Sequence, residues 1–519
     1  MFTQLHVHSY FSFESGVSSP EALLDAAAQR GFTALACTDT NGVYGAVEFQ
    51  QAALARGIRP ILGAHLVFGD EEAVVLATDE KAWAALCRAA SAIHWADQQV
   101  GRGGPGGRGG QNSSSSVPSA LSALIATDRN GLIILSANIP FLERVVSLSG
   151  PTDIYAELRP GKDRHAVGAA ARRLGIRAAV SNAVRFANPE DFQRHRLRVA
   201  IHKNGRMEEW RNDHSSIAPP GSWLRPDLPR FFPDCPEALS ASEEIAERCE
   251  YQLPLGRRVV APRFAEVDDA FQQLRSRAYQ GAERRYGTIA PVTRNRLEHE
   301  LAIIGQKKFA DYFLVVHDIV QNGPTHCGRG SVANSIVSYA LGITHVDPLG
   351  AGLLFERFLN PERKDPPDID LDFPWDERDN VLAYVFQKYP NLRSAMVANH
   401  NCFRLRGALR EVAKVHGRPP GEIREITRRF PWFSDDDSLE EVIANHPNFQ
   451  GLELPAIWCD LAKLAQPLVG TPRHLSLHPG GVVIVPTTLT DYVPVERAAK
   501  QLEGYPGLTV PVIQFEKDG

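Results

Sequence analysis

The hexapeptide Asp368-Ile369-Asp370-Leu371-Asp372-Phe373 constrains this chain more than any other stretch. Carboxylates alternate with apolar side chains, so a period of two puts all three acids on one face of a strand and the apolar residues on the other. Like charges held this close repel one another, which is costly unless a divalent cation neutralises them, and an all-oxygen ligand set suits magnesium. A two-metal phosphoryl-transfer site needs such a face. The competing reading is a solvated acidic edge strand, but the interleaved Ile, Leu and Phe imply a buried reverse side.

About 40 residues upstream stands Gly328-Arg329-Gly330-Ser331-Val332-Ala333-Asn334-Ser335, a glycine-rich turn opening into the apolar run Ile336–Leu341. Backbone N–H groups of such a turn, with the N-terminus of the following helix, can cradle a triphosphate, and Arg329 adds complementary charge. An ordinary helix cap accounts for the same residues; the nearby acidic strand favours the phosphate reading.

A chain of 519 residues exceeds one compact core and predicts about three units. Lys and Arg total 56 against 61 Asp and Glu, a formal charge of −5, which excludes a wholly basic nucleic-acid coat and makes any basic surface local. With 43% apolar and 23% charged residues the composition is that of a soluble globular protein. The N-terminus lacks a basic and then apolar leader, and no stretch approaches the roughly 18 apolar residues of a membrane helix, so a cytoplasmic location is expected. Seven dispersed cysteines, Cys37, Cys87, Cys235, Cys249, Cys327, Cys402 and Cys459, form no Cys-x-x-Cys pair and read as reduced, mostly buried thiols.

The first part alternates strand and helix. Strands are expected at Gln4–Val7, Ala34–Cys37, Ile61–Val67, Leu132–Leu135 and Ala178–Ser181, and helices at Pro20–Arg30 and Val47–Arg56, a parallel α/β pattern. The Gly/Arg and serine tract at 101–117 reads as a disordered insertion, and proline-punctuated Pro219–Pro236 as the start of a linker. Helical periodicity dominates from Ser240; Tyr312–Val320 reads as helix or strand, the stretch from Asp372 to about Gln466 as mainly helical, and Gly481–Val485 as strand.

Gly328–Ser335, Ala340-Leu-Gly-Ile-Thr-His-Val-Asp-Pro348, Leu354–Arg363 and Pro367–Phe373 together resemble the palm signature of the bacterial DNA polymerase III alpha subunits, the C-family polymerases. Val397-Ala-Asn with Arg404, Arg406 and Arg410, and His474–Val485, resemble the error-prone, damage-tolerant branch. The likeness covers essentially the whole chain. It implies an α/β multidomain protein: a PHP-type (β/α) barrel over 1–212, a linker and helical connector over 213–285, a polymerase-beta-like nucleotidyltransferase palm over 286–400, a helical thumb over 401–470, and a return to the palm over 471–519.

The same resemblance implies DNA-templated DNA synthesis, adding dNTPs to a primer 3′ end with two Mg2+ ions. Asp370 and Asp372 match the family's metal pair and Asp368 supports them, although from the residues alone any two of the three could serve. Gly328, Arg329, Gly330 and Ser331 would hold the incoming triphosphate. Arg357, Arg363, Arg404 and Arg410 are candidates for triphosphate or DNA contacts, with a structural salt bridge the alternative for each. Primer-template DNA, dNTPs, a sliding clamp and other accessory proteins are the implied partners. The family's third carboxylate follows the segment equivalent to Val512–Gly519, so the chain is expected to be the N-terminal portion of a longer enzyme or half of a split one, and inactive alone.

Leu5-His6-Val7-His8-Ser9 is an alternating imidazole pair at a strand end, suited to metal ligation, and it resembles the polymerase and histidinol phosphatase (PHP) domain that opens this family. Against that family's trinuclear ligand set, Ser15 replaces an Asp, Thr40 a His, His65 a Glu, and Ala183 and Arg185 stand where Asp and His belong. His6, His8, Asp39 and His65 are left as candidates for one residual Zn2+ or Mn2+. A structural role is therefore expected for this domain. The alternatives are a metal-dependent phosphoesterase or 3′–5′ exonuclease, or a non-catalytic DNA-binding scaffold. His474 and His478 have the spacing of a helical zinc pair, but Pro479-Gly480-Gly481 follows directly and a structural or DNA-facing role is expected; His317-Asp318 reads as a satisfied buried pair.

Overall fold

The computed structural model describes residues 2–100, 120–209, 217–264, 269–323, 325–362, 368–431, 438–451 and 454–517. The insertion expected at 101–117 lies outside the described residues.

In the first unit six strands form one sheet in chain order: β1 (Ala34–Thr40), β2 (Arg59–Phe68), β3 (Glu71–Ala77), β4 (Leu132–Ser136), β5 (Ile154–Leu158) and β6 (Arg177–Val180). Pairing is parallel for β1–β2, β4–β5 and β5–β6, but β3 runs antiparallel to both neighbours. The wholly parallel expectation fails there because Gly69-Asp70, with Gly69 at φ +63°, is a two-residue hairpin turn, and so short a connection joins only antiparallel strands. The expected first strand is reduced to two isolated parallel bridges, Gln4 to Leu35 and Val7 to Val184, which tie the two sheet edges together and close a barrel. Ala34, Ala36, Ile61, Leu76 and Leu135 fill its interior, while Leu35, Cys37, Leu62 and Val75 face the surrounding helices.

The segment expected to be a linker belongs to this unit. Leu224, Leu228, Phe232 and Ala238 join its core, and helix Pro236–Arg248 sends Ala241 and Ile245 into the interior cluster. Ser242 Oγ accepts from Val180 N at 2.9 Å. The prolines here serve turns and the helix start, where a missing N–H costs nothing, rather than an extended linker.

In the second unit helices Ala270–Tyr286, Pro291–Gln306 and Ala310–Asn322 share a core that includes Leu274, Leu301, Phe313 and Val337. Helix Ala270–Tyr286, expected in the connector, is part of that core, and Tyr312–Val320 is helical. Two short strands, β7 (Cys327–Arg329) and β8 (Asp370–Asp372), pair as a ribbon over it. A four-stranded sheet follows, with β9 (Ser394–Cys402), β10 (Pro472–Ile484), β11 (Val495–Gln501) and β12 (Thr509–Glu516) in the order β10-β9-β12-β11. β9 falls in the stretch read as mainly helical. Its Ser394–Ala398 half is buried throughout, so no alternation marks it as a strand.

Helices Leu405–Val415, Pro420–Thr427, Leu439–Asn445 and Ala456–Ala465 enclose a third core around Leu409, Phe430 and Trp458, to which Leu197 and Ala200 of helix Phe192–Lys203 also contribute.

A polar seam joins barrel and sheet. From helix Glu80–Val100, Trp83 Nε1 donates to Tyr492 O (2.7 Å) and Trp95 Nε1 to Val495 O (3.0 Å). Tyr44 Oη and Gln514 Nε2 both donate to Glu496 Oε1, at 2.6 and 2.9 Å. Arg198 donates to Thr471 Oγ1 at 2.9 Å and to the Pro472 carbonyl. All seven cysteines are free, but only Cys37, Cys87 and Cys249 are buried; Cys327 and Cys402 are exposed, contrary to the expectation of mostly buried thiols. Among the described residues no helix is long and apolar enough to cross a membrane.

Candidate functional site

The ribbon brings the two strongest sequence motifs into register. Arg329 pairs across from Asp370, and Cys327 across from Asp372. The Arg329 guanidinium lies 3.5 Å from Asp370 Oδ2 and 3.0 Å from Asp372 Oδ1. Asp368, Asp370 and Asp372 are exposed, whereas Ile369 and Leu371 pack against the second core. The strand is thus solvated on its acidic face and anchored by its apolar one.

Two glycines allow this closeness. A Cβ on Gly328 would stand 2.3 Å from Ile343 O, so the ribbon could not seat with any other residue there. Gly330 has φ +73°, a conformation that side chains rarely adopt, and its Cα side faces Asp370, whose Oδ2 would be 3.7 Å from an added Cβ.

The expected helix N-terminus is not available to a phosphate. Gly330–Asn334 forms a 3₁₀ turn, and the helix after it, Ile336–Ala340, has its first amides already occupied. Glu300 Oε1 accepts from Ile336 N (3.1 Å), and Oε2 from Val337 N (3.2 Å) and Ser335 Oγ (2.8 Å). Arg296 Nε completes the set at 2.7 Å. Burial pushes the Glu300 carboxyl up from its usual range, opposed by these donors. Only the turn, with Arg329 and Ser331, remains open. Sequence reasoning missed Glu300; its signal was a carboxylate among Leu297, Leu301 and Ile304 on the apolar side of a helix.

Arg357 sits on the 3₁₀ turn Phe355–Arg357, Arg404 at the N-cap of helix Leu405–Val415, and Arg410 on that helix; all three are exposed. Arg363 lies outside the described residues. Trp375, three positions after Asp372, is 87% exposed, an aromatic face that the sequence reading passed over. His317 and Asp318 form no couple: His317 Nδ1 bonds Leu341 O (2.8 Å), and Asp318 Oδ2 accepts from Tyr384 Oη (2.6 Å). His474 and His478 lie on β10 rather than a helix, and His478 Nδ1 accepts from Gly480 N and Gly481 N where the pairing of β10 with β9 shifts register.

The barrel holds a second cluster, wholly buried. One ring nitrogen from each of His6, His8 and His65 lies within 4.8 Å of the others. His6 Nε2 and His8 Nε2 share a 2.8 Å hydrogen bond, His6 Nδ1 meets Glu157 Oε1 at 2.7 Å, and His8 Nδ1 meets Ser12 Oγ at 2.8 Å. Burial drives the His6 imidazole down to about 3 and His8 well below its usual value, so both are neutral. Burial alone would raise the Glu157 carboxyl, yet Arg159 and His6 together hold it well below the usual range. Glu157 and Arg159, one turn of the pleat apart on and just after β5, were not foreseen as site residues.

Asp39 stands apart from the imidazoles. It shares the β1 face of Leu35 and Cys37, opposite the interior face of Ala34 and Ala36. Both its oxygens are taken, Oδ2 by Ser9 Oγ (2.7 Å) and Oδ1 by Ser12 Oγ (2.7 Å) and Ser9 N (2.8 Å). Arg185 donates to Ser15 Oγ at 3.1 Å, so the two residues expected to replace metal ligands meet each other. Burial, then Arg159, lowers the Arg185 guanidinium to about 10, leaving it charged at neutral pH. A trinuclear cation cluster does not fit a cavity holding this cation and no uncommitted carboxylate beside the imidazoles. The ribbon carboxylates, in contrast, fit a divalent cation: exposed, paired on one face, and all oxygen.

Two family profiles match the chain, the PHP domain over residues 4–172 and the bacterial DNA polymerase III alpha NTPase domain over 272–519. An error-prone DNA polymerase of Symbiobacterium thermophilum is 35% identical over 96% of this chain and 49% of its own length. One from Mycobacterium bovis is 34% identical over 100% and 48%, and the DNA polymerase III subunit alpha of Bacillus subtilis 32% identical over 98% and 46%. The chain therefore spans about half the length of the curated relatives it matches. The chain thus carries in succession the PHP domain and the bacterial DNA polymerase III alpha NTPase domain, and it is similar to these polymerases along nearly all of its own length.

Proposed function

We propose that this chain carries the nucleotidyl-transfer palm of a DNA-templated DNA polymerase of the error-prone type, which extends a primer 3′ end with dNTPs. The observation that carries the reading is the β7–β8 register, which sets Arg329 and the Gly330 turn against Asp370 and Asp372.

In this reading Asp370 and Asp372 hold Mg2+, with Asp368 in support. The ions, when bound, supply Lewis-acid charge that favours deprotonation of the primer hydroxyl and stabilises departing pyrophosphate. Arg329 exchanges its carboxylate partners for the triphosphate, and the open amides of the Gly330–Ser331 turn orient it. Arg357, Arg404 and Arg410 present charge to the nucleotide or the DNA backbone, and Trp375 a face on which a base can stack. Glu300 keeps the turn in place from below without touching substrate.

The barrel, in the same proposal, is a scaffold that positions the palm through the Trp83, Trp95 and Glu496 contacts. Its boundary is better drawn near Leu253 than at 212, with the palm core beginning by helix Ala270–Tyr286. Primer-template DNA is the substrate, and a sliding clamp and other replication proteins, in the cytoplasm, are the expected partners.

Calorimetric titration of dATP into the chain with Mg2+ tests the reading. Binding is expected for the parent and is expected to be lost in the Asp370→Asn, Asp372→Asn double variant. A double variant that took up Mg2+ and dATP as tightly as the parent would overturn the assignment.

A further inference from the structure

The barrel cavity that no longer fits a metal cluster has a volume of about 720 Å3, within the range of small-molecule sites. Its charges divide into two classes. Arg159 is paired with Glu157 and Glu72, Arg164 with Asp234, and Arg225 with Asp227. Arg185 and Lys203, which also line the cavity, form no ion pair with a carboxylate among the described residues, and the Arg185 contact is to the neutral Ser15 hydroxyl. Glu14 and Asp163, the remaining acids of the lining, are exposed, and Glu14 is engaged by His202 at 3.1 Å.

A second feature points the same way. His65 is 3% exposed, and neither of its ring nitrogens has a hydrogen-bond partner; its 3.4 Å approach to Glu72 Oε2 lies in ion-pair range without hydrogen-bond geometry. Arg185 is partly buried and has no carboxylate in ion-pair contact, only the longer-range charges of Glu72, Glu157 and Asp39; with it stands an imidazole that lacks a hydrogen-bond partner, and an oxyanion would engage both. Arginine is the side chain best matched to such a ligand, through its forked donors.

We propose that this cavity is a metal-independent anion pocket for a phosphate group, with Arg185 as its principal ligand, Lys203 adding charge from the exposed rim and His65 contributing one ring nitrogen. Arg185 thus supplies directly the positive charge that bound cations supply in a metal-competent barrel. Binding alone is proposed, with no bond made or broken. The phosphate could be free or carried on a nucleotide, and the cavity is large enough for either.

The test titrates inorganic phosphate, dAMP and deoxyadenosine separately into the chain in excess EDTA. Phosphate and dAMP are expected to bind and deoxyadenosine not. Tighter binding of dAMP than of phosphate assigns the nucleotide as the fuller ligand, and equal binding assigns the free ion, both within the proposal. Arg185→Gln should weaken phosphate binding by about tenfold or more, while Arg185→Lys, which keeps the charge but loses the fork and guards against misfolding of the first variant, should bind more weakly than the parent and more tightly than Arg185→Gln. Asp370→Asn, Asp372→Asn should bind phosphate as the parent does, which separates this pocket from the palm. The proposal is overturned if phosphate does not bind, if binding appears only when Zn2+ or Mn2+ is restored, or if Arg185→Gln binds like the parent.

Discussion

The chain contains two charged clusters built on strand ends, and they have opposite economies. At the barrel, His6, His8, Glu157 and Asp39 are buried and spend nearly every polar atom on one another or on nearby hydroxyls. On the ribbon, Asp370 and Asp372 are exposed and, among the described residues, are paired with an equally exposed Arg329. The first arrangement is coupled to folding, because breaking it strands a charge in a low-dielectric interior. The second is coupled to ligands, because exposed charges exchange partners at little cost. Two sites with similar residue types can thus differ in whether their loss is felt as instability or as lost binding.

The largest test of this contrast is Glu157→Ala. The carboxylate is fully buried and bonded to His6, Arg159 and Ser181, so its removal strands the His6 Nδ1 and the Ser181 hydroxyl and leaves Arg159 with Glu72 as its remaining carboxylate partner. A loss of about 3–5 kcal/mol is expected from urea denaturation. A loss near zero would break the comparison at its buried end.

Acid titration gives the next effect. His195 is buried, with Nδ1 donating to Ser15 O (2.7 Å) and Nε2 accepting from Ala218 N (2.9 Å), which commits it to one neutral tautomer. Burial lowers its folded value to about 4 from 6.5. Between those values the unfolded chain binds a proton that the folded chain refuses, so stability falls as pH drops from 6.5 and the loss is complete near pH 4. That amounts to about 3 kcal/mol. Melting curves across this range should show the slope, and His195→Gln should flatten it.

The smallest effect belongs to the exposed end. Arg329→Gln should move the melting midpoint by less than about 1 °C, since both partners are solvated. In the absence of nucleotide it should tighten Mg2+ binding to the ribbon, because a competing cation is gone; weaker Mg2+ binding would show that Arg329 orients the carboxylates rather than merely neutralising them.

How much of this was legible in the sequence follows from where each residue faces. The acidic strand was readable because one face is wet and the other dry, giving period-two alternation over six residues. β9 was not, because a strand buried on both sides carries no alternation, and Ala395, Ala398 and Asn399 lack strand propensity. β3 was not among the expected strands; it follows β2 after only Gly69-Asp70, and a pattern of alternating strand and helix has no place for a hairpin partner. Asp39 was grouped with the imidazoles through the ligand set that the PHP resemblance implies, although its parity on β1 turns it the other way. Glu157, Glu300 and Arg159 escaped notice because a single charge in an apolar run looks like an interruption of the pattern until its partners are in view, and those partners come from distant parts of the chain.

The seam between barrel and sheet has a consequence for how the molecule comes apart. Both indoles of helix Glu80–Val100 end on carbonyls of the second unit, and Glu496 receives a tyrosine from one side and a glutamine from the other. Opening the barrel therefore exposes unpaired groups in the palm sheet, and melting the sheet does the same to the barrel. Neither is therefore expected to show a private unfolding transition. The two are expected to melt as one cooperative block, so the barrel would help set the temperature at which the strands of the acidic ribbon lose their shape.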